Sequence, residues 1–289
     1  MPEIEPHVAR PFIDGVYFGE APRWHDGRLW FSDFYAGGVF SVDESGDRRR
    51  EVAHDGQTSG LGWLPDGDLL VVSMLDQQVL RHRGGALEPY ADISPWATGL
   101  ANDMVVSATG HAYVGNFGFD LDGWRAGSAE IRTTTLVRID PDGVATAASE
   151  DMAFPNGTVI FPDSRTLVIA ETFAARLSAF DVAEDGTLSN RRVWAQLENC
   201  APDGICLDAE GCVWVANATA AECIRVAEGG AVVGQLVTEE PCFACMLGGA
   251  DRQTLYAMVA PSSEAAEVRG APKGSIAAAR VDVPGAGLP

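Results

Sequence analysis

The sequence predicts an all-β fold: a six-bladed β-propeller whose four-stranded antiparallel blades surround one axis. Two observations point to it. One phrase recurs six times along the chain, and each recurrence carries the turn chemistry of a β-hairpin. The phrase is a polar head, a short apolar strand, a turn such as Asp-Gly or Asp-Ser, a second apolar strand, and a third strand closed by a polar turn.

In chain order the copies read GEAPRWHDGRLWFSD from Gly19, SGLGWLPDGDLLVVS from Ser59 and ANDMVVSATGHAYVGN from Ala101. PNGTVIFPDSRTLVIAET follows from Pro155, PDGICLDAEGCVWVAN from Pro202 and CFACMLGGADRQTLYAM from Cys242. Third strands follow the hairpins, as in GGVFSVD, QQVLRHRGG, TTLVRIDPDG, RLSAFDVAEDG, CIRVAEGG and GSIAAARVDV. The lead residues are Glu20, Ser59, Asn102, Asn156, Asp203 and about Ala244, at intervals of 39, 43, 54, 47 and 41 residues. Those intervals suit a blade of roughly 40–50 residues. Six copies fill 16–285 without a linker, so the expectation is one domain over 1–289. The segment Pro11–Asp14 is expected to pair into the last blade and close the ring.

Two copies have long loops between their second and third strands, 117–133 in blade three and 260–273 in blade six. Long loops in compact repeats carry binding or lid roles. Phe117, Phe119 and Trp124 in the first could face a ligand or pack against their own blade. Strand-end residues Asn116 and Glu171 are further candidates for contact with a small molecule, as are Thr172 and Asn217.

With 41 acidic and 20 basic residues, the net charge of −21 disfavours nucleic acid and anionic membranes as partners. No apolar run approaches the roughly 18 residues of a membrane span. The opening MPEIEPHVARPF has neither a basic nor an apolar leader region, which leads us to expect a cytoplasmic protein with reduced thiols. All six cysteines lie in the last third, and CFAC lacks a second C-x-x-C, so small buried core residues are the reading there. Cys200, three positions before Asp203, is close enough to the lead positions to make thiol modification worth testing.

In a propeller the lead residues of successive inner strands converge on the axis. Glu20, Ser59, Asn102, Asn156 and Asp203 offer hard oxygen atoms, the ligand type of a Ca²⁺- or Mg²⁺-class ion, so the fold expectation includes a central metal site. Histidine is absent from the set, which argues against a zinc hydrolase. Asn156-Gly157 and Asp203-Gly204 are also plain turn dipeptides, and that alternative stands beside the metal reading.

These residues also carry a resemblance. Gly19-Glu20-Ala21-Pro22 with Trp24, then Asn102-Asp103, Phe154-Pro155-Asn156-Gly157 and Pro202-Asp203-Gly204, resemble the senescence marker protein/regucalcin/gluconolactonase family, which includes luciferin-regenerating enzymes. The resemblance spans the whole chain. It implies a six-bladed propeller that hydrolyses lactones with one divalent metal ion, Ca²⁺ first and Mg²⁺, Mn²⁺ or Zn²⁺ as alternatives. It implies that Glu20, Asn156 and Asp203 hold the ion and that Asn102 contacts substrate or its bound water.

The chemistry is coherent with that implication. A cation would polarise the lactone carbonyl, Asp203 would act as general base on a water, and Asn102 would orient the substrate. No G-x-S-x-G elbow is present, so a covalent acyl-enzyme is not indicated. Sugar lactonases resembling this chain often have Arg where Ala101 stands, which turns the expectation toward a more apolar lactone or ester. Two alternatives stay open: a metal-dependent lyase or isomerase acting on a carbonyl substrate, and a non-catalytic binding propeller with a structural ion.

Overall fold

The computed structural model describes residues 4–287; the first three and last two residues of the expected 1–289 domain lie outside them. Six antiparallel sheets follow one another along the chain, each a meander with its first strand innermost. Inner strands such as Ala101–Val106 and Pro202–Leu207 are buried at every residue, as strands covered on both faces must be. That is why they read as apolar runs. Outer strands such as Arg48–Ala53 and Ala145–Met152 mix buried and exposed residues and carry the charge.

The inner strands Gly19–His25, Thr58–Trp63, Ala101–Val106, Pro155–Ile160, Pro202–Leu207 and Cys242–Gly248 pack in succession, and the last packs on the first. Hydrogen bonding also closes the ring: Arg10–Val16 pairs antiparallel with Gly274–Arg280 as the fourth strand of blade six. The pairing includes Pro11 and Asp14, as the sequence predicts. His7–Val8 adds a feature the sequence does not announce, a parallel fifth strand on Val232–Val237 of blade five.

Each inner strand has a register shift at its head, between Glu20 and Arg23, Thr58 and Leu61, Ala101 and Met104, Pro155 and Thr158, Pro202 and Ile205, and Cys242 and Ala244. Such bulges bend a strand and re-aim a side chain. The lead residue is the one following the first paired residue. By that register the sixth lead is Phe243, not Ala244, correcting the sequence expectation.

The register also decides the turn alternative. Asn156-Gly157 and Asp203-Gly204 lie inside strands. A Cβ on Gly157 would stand 2.4 Å from the Ile205 nitrogen, and one on Gly204 would stand 2.6 Å from the Ala244 Cα. These glycines let neighbouring blades meet backbone to backbone at the axis. Ala21, directly after Glu20, takes a left-handed φ of 47°, which costs a non-glycine residue about 1–3 kcal/mol where Glu20 must be turned inward.

The six cysteines are free thiols, and all but Cys212 are buried. Cys206 and Cys245 lie 3.8 Å apart, and Cys223 and Cys242 3.0 Å apart, within the interface of blades five and six. Among the described residues no helix is long and apolar enough to cross a membrane.

Candidate active site

The bulged heads bring Glu20, Asn102, Asn156 and Asp203 together in a cavity of ≈810 Å³ on one end of the axis. All four are buried, with Glu20 7% and Asp203 8% exposed, so they lie deep in the cavity rather than on its rim. A hydrogen-bond chain orders the amides. Ser59 Oγ donates to Asn102 Oδ1 at 3.4 Å, and Asn102 Nδ2 donates to Asn156 Oδ1 at 3.2 Å. Asn156 Nδ2 reaches Thr172 Oγ1 at 3.3 Å, and that hydroxyl donates to the Pro202 carbonyl at 2.7 Å. Four blades, two to five, are thereby tied around one point.

The two carboxylates are electrostatically unsatisfied. Burial, then the charges of Asp203 and Asp103, push Glu20 well above the ordinary carboxylate range; the Ala21 N–H and Arg23 counter this only partly. Burial and Asp103 push Asp203 up as well, against hydrogen bonds from Asn156 and the Gly204 N–H. Arg23, whose charge acts on Glu20, is engaged elsewhere: its Nη2 pairs with Asp103 at 2.9 Å. Glu20, Asn156 and Asp203 are the residues that could hold a hard divalent cation. Their oxygen donors and their unbalanced charge fit such an ion.

Phe117, Phe119 and Trp124 line the cavity, as does Thr172. Asn116 and Glu171 do not, and the expectation that they touch substrate gives way to another role. Asn116 is fully buried; its Oδ1 accepts from Gly118 N and from Thr134 Oγ1, while its Nδ2 donates to the Thr135 carbonyl. Glu171 is fully buried, accepts from Ala153 N, and pairs with Arg176 and Arg191, each at 2.9 Å. Burial alone would raise its pKa, but hydrogen bonds from Arg176, Ala153, Ser178 and Arg191 outweigh that and lower it. Asn217 likewise is engaged within its blade: its Oδ1 accepts from Thr219 N in the loop that follows and from Ala201 N just before the inner strand. All three pair with the first residue of their inner strand, as Asp33 does in blade one. This position anchors the loop that follows.

Several cavity residues escape the sequence reading. Phe18, Gln57, Leu100, Phe154 and Ala201 all line the cavity, and each stands two positions before a lead residue. Phe34, Tyr35, Met74, Leu75 and Phe173 line it from just beyond the second strands. The repeat register holds both signals, and the lead positions alone do not use them. Cys200 is buried and its thiol is pushed up to about 12 by burial, then by Glu222 and Asp203, so its proximity to the site does not make it reactive.

The two long loops meet over the cavity. The blade-three loop forms a short helix, Leu121–Arg125, capped by the Asp120 carboxylate accepting from Gly123 N at 3.0 Å. Arg125 Nη2 donates to Ser263 Oγ at 2.6 Å, and Nη1 donates to the Ser263 carbonyl at 3.3 Å, clasping the blade-six loop.

A model of the SMP-30/Gluconolactonase/LRE-like region matches residues 18–260. The chain belongs to this family. Its match begins just before Glu20 and ends in the blade-six loop, so it includes every lead residue. Among relatives, the chain is 26% identical over 281 residues to a 6-deoxy-6-sulfogluconolactonase of Pseudomonas putida, covering 94% of each. Two solved structures of similar form are a calcium-binding regucalcin of Agrobacterium tumefaciens and a gluconolactonase of Xanthomonas campestris. The first has TM-score 0.79, 17% identity, and coverage of 99% of this chain and 97% of the other. The second has TM-score 0.75, 22% identity, and coverage of 97% and 90%. At those identities the two structures speak to the fold of the SMP-30/gluconolactonase family member described here.

Proposed function

We propose that this family member is a divalent-metal-dependent hydrolase that opens a lactone or related carboxylic ester. The observation that carries the proposal is a pair of buried carboxylates, Glu20 and Asp203, with no salt-bridge partner among the described residues, beside two amides in an open cavity. The Pseudomonas relative's name supports lactone as the substrate class. The calcium-binding regucalcin supports Ca²⁺ as the ion.

When bound, the cation would supply positive charge for the lactone carbonyl oxygen and for the negative charge developing on it. Asp203 takes the proton of the attacking water as general base. Water oxygen bonds to the carbonyl carbon, the acyl carbon–oxygen bond breaks, and the ring oxygen leaves as a hydroxyl by taking back the proton that Asp203 received, leaving Asp203 ionised and the product a carboxylic acid. Asn102 aligns the substrate through its amide, itself held by Ser59 and Asn156. Glu20 and Asn156 would hold the ion together with Asp203, one through a charged oxygen and one through a neutral oxygen.

The test is lactone hydrolysis followed by acid release. Asp203→Asn is expected to lower kcat by about 10²–10⁴, the usual contribution of a positioned base, in a protein that remains folded. Chelation is expected to lower the wild-type rate, with restoration by Ca²⁺ or a related ion. A chelated wild-type protein working at full rate would overturn the proposal.

A further inference from the structure

Resting on the lactonase reading above, we propose that the substrate is a neutral lactone bearing an alkyl or aryl substituent, held between two aromatic walls. The first wall comes from blades three and four. Phe117 stacks on Phe154 at 4.5 Å, while Phe173 meets Phe119 at 5.2 Å and Trp124 at 5.1 Å. The second comes from blades one and six, where Phe18 lies between Phe34 at 5.2 Å and Phe243 at 4.8 Å. In a ring of six blades, blade one stands opposite blade four and blade six opposite blade three. The walls therefore face each other across the axis, above Glu20 and Asp203, and both line the one cavity.

Three of the polar side chains that line the cavity are already engaged by the protein, which leaves the Gln57 amide and the Tyr35 hydroxyl without a side-chain hydrogen bond among the described residues. Gln77 Nε2 donates to the Gly99 carbonyl at 2.7 Å, Thr98 Oγ1 to the Gly118 carbonyl at 2.8 Å, and Thr219 Oγ1 to Asn217 Oδ1 at 2.9 Å. A polyhydroxylated ring would bring hydroxyls into this space with few partners to replace water, which disfavours it. With a divalent ion held by Glu20 and Asp203, the lining offers an anionic substituent no surplus of positive charge. Glu20, Asp120, Asp122 and Asp203 line the cavity, against Arg125 and Arg269. Arg125 is bound to Ser263 and to Asp122 at 3.4 Å, and Arg269 lies over the Tyr35 ring at 5.9 Å. The reaction remains the hydrolysis already written, with its bond changes at the ring ester.

The experiment is a homologous series of γ-lactones, from the unsubstituted ring to a hexyl substituent at the carbon bonded to the ring oxygen, with an aryl member and glucono-δ-lactone. It is run alongside 3-alkylcyclopentanones, which share the shape and have no hydrolysable bond. We expect kcat/KM to rise about fourfold per methylene (~0.8 kcal/mol) until the cavity is full, and the aryl member to follow the same trend. Glucono-δ-lactone is expected to be the poorest substrate. Trp124→Ala, a change in an exposed loop helix that leaves the blades intact, is expected to cut the ratio of hexyl to unsubstituted rates at least fivefold. A flat series, a preference for glucono-δ-lactone, or an unchanged ratio in Trp124→Ala overturns the inference. If no lactone is opened but cyclopentanone affinity rises with chain length, the lactonase reading fails and the apolar site stands. If that affinity is also flat, both fail.

Discussion

Arg23 offers the sharpest test of how the axis is held together. Its guanidinium donates to the Leu61 carbonyl through Nε at 3.1 Å and to the Pro22 carbonyl through Nη1 at 2.8 Å. Nη2 donates to Asp103 Oδ1 at 2.9 Å and to the Met104 carbonyl at 2.6 Å. These contacts join blades one, two and three beneath the candidate site, and the two charged side chains are only 5% and 6% exposed. Arg23→Met strands a buried carboxylate, a change that costs about 3–5 kcal/mol. Unfolding entropy of ~2.1 cal/mol/K per residue over 289 residues gives roughly 0.6 kcal/mol/K, so the melting midpoint is expected to fall by about 5–8 °C. Adding Asp103→Asn removes the stranded charge, and the double variant is expected to recover at least half of the loss. Calorimetric melting of the four proteins in the cycle measures this. A single variant that melts within about 1 °C of wild type, or a double variant as unstable as the single, refutes the argument.

Other consequences follow from the same site and core. Glu20 and Asp203 have pKa values raised in the folded state, so their contribution to stability is present at low pH and is lost as pH rises above the ordinary carboxylate range. A bound cation removes the repulsion, so the difference in melting midpoint between Ca²⁺ and chelator is expected to widen between pH 5 and pH 8; a constant difference contradicts this. Burial raises all six thiols, and Cys212 is the one that is not fully enclosed. An aromatic disulfide reagent is therefore expected to titrate at most one thiol in the native protein and six after denaturation. Glu171→Gln leaves Arg176 and Arg191 without their carboxylate and is expected to cost about 2–4 kcal/mol, read as a lower denaturation midpoint, with little change in substrate KM.

The blades were legible because a strand buried on both faces has to be a run of apolar residues, and hairpins between such runs need Gly, Asp or Ser in their turns. The N-terminal strand was legible because Pro11–Asp14 precedes the first copy and the last copy lacks a fourth strand. His7–Val8 was not, since two residues have no period and the partner strand lies more than 220 positions away. At the site, Glu20, Asn102, Asn156 and Asp203 could be read from their spacing, yet spacing alone does not separate a cavity residue from a loop anchor. Asn116 and Glu171 are as regular in the repeat as Asn102 and Asn156, and only the register shows that one set faces the axis and the other holds a loop. Blade six was misread by one residue because Phe243 breaks the polar pattern of the other leads. The aromatic walls were half visible: the long blade-three loop drew notice to Phe117, Phe119 and Trp124, while Phe18, Phe154 and Phe173 sit in short connections that look ordinary.

Calcium binding by calorimetry tests the central claim most directly, because it reads the pair of carboxylates without any assumption about substrate. Chelated protein titrated with Ca²⁺ is expected to show one site per chain, and Glu20→Gln and Asp203→Asn are each expected to weaken or abolish it while melting no lower than chelated wild type. Wild type that binds no divalent ion, or that binds one equally well in both variants, contradicts the account.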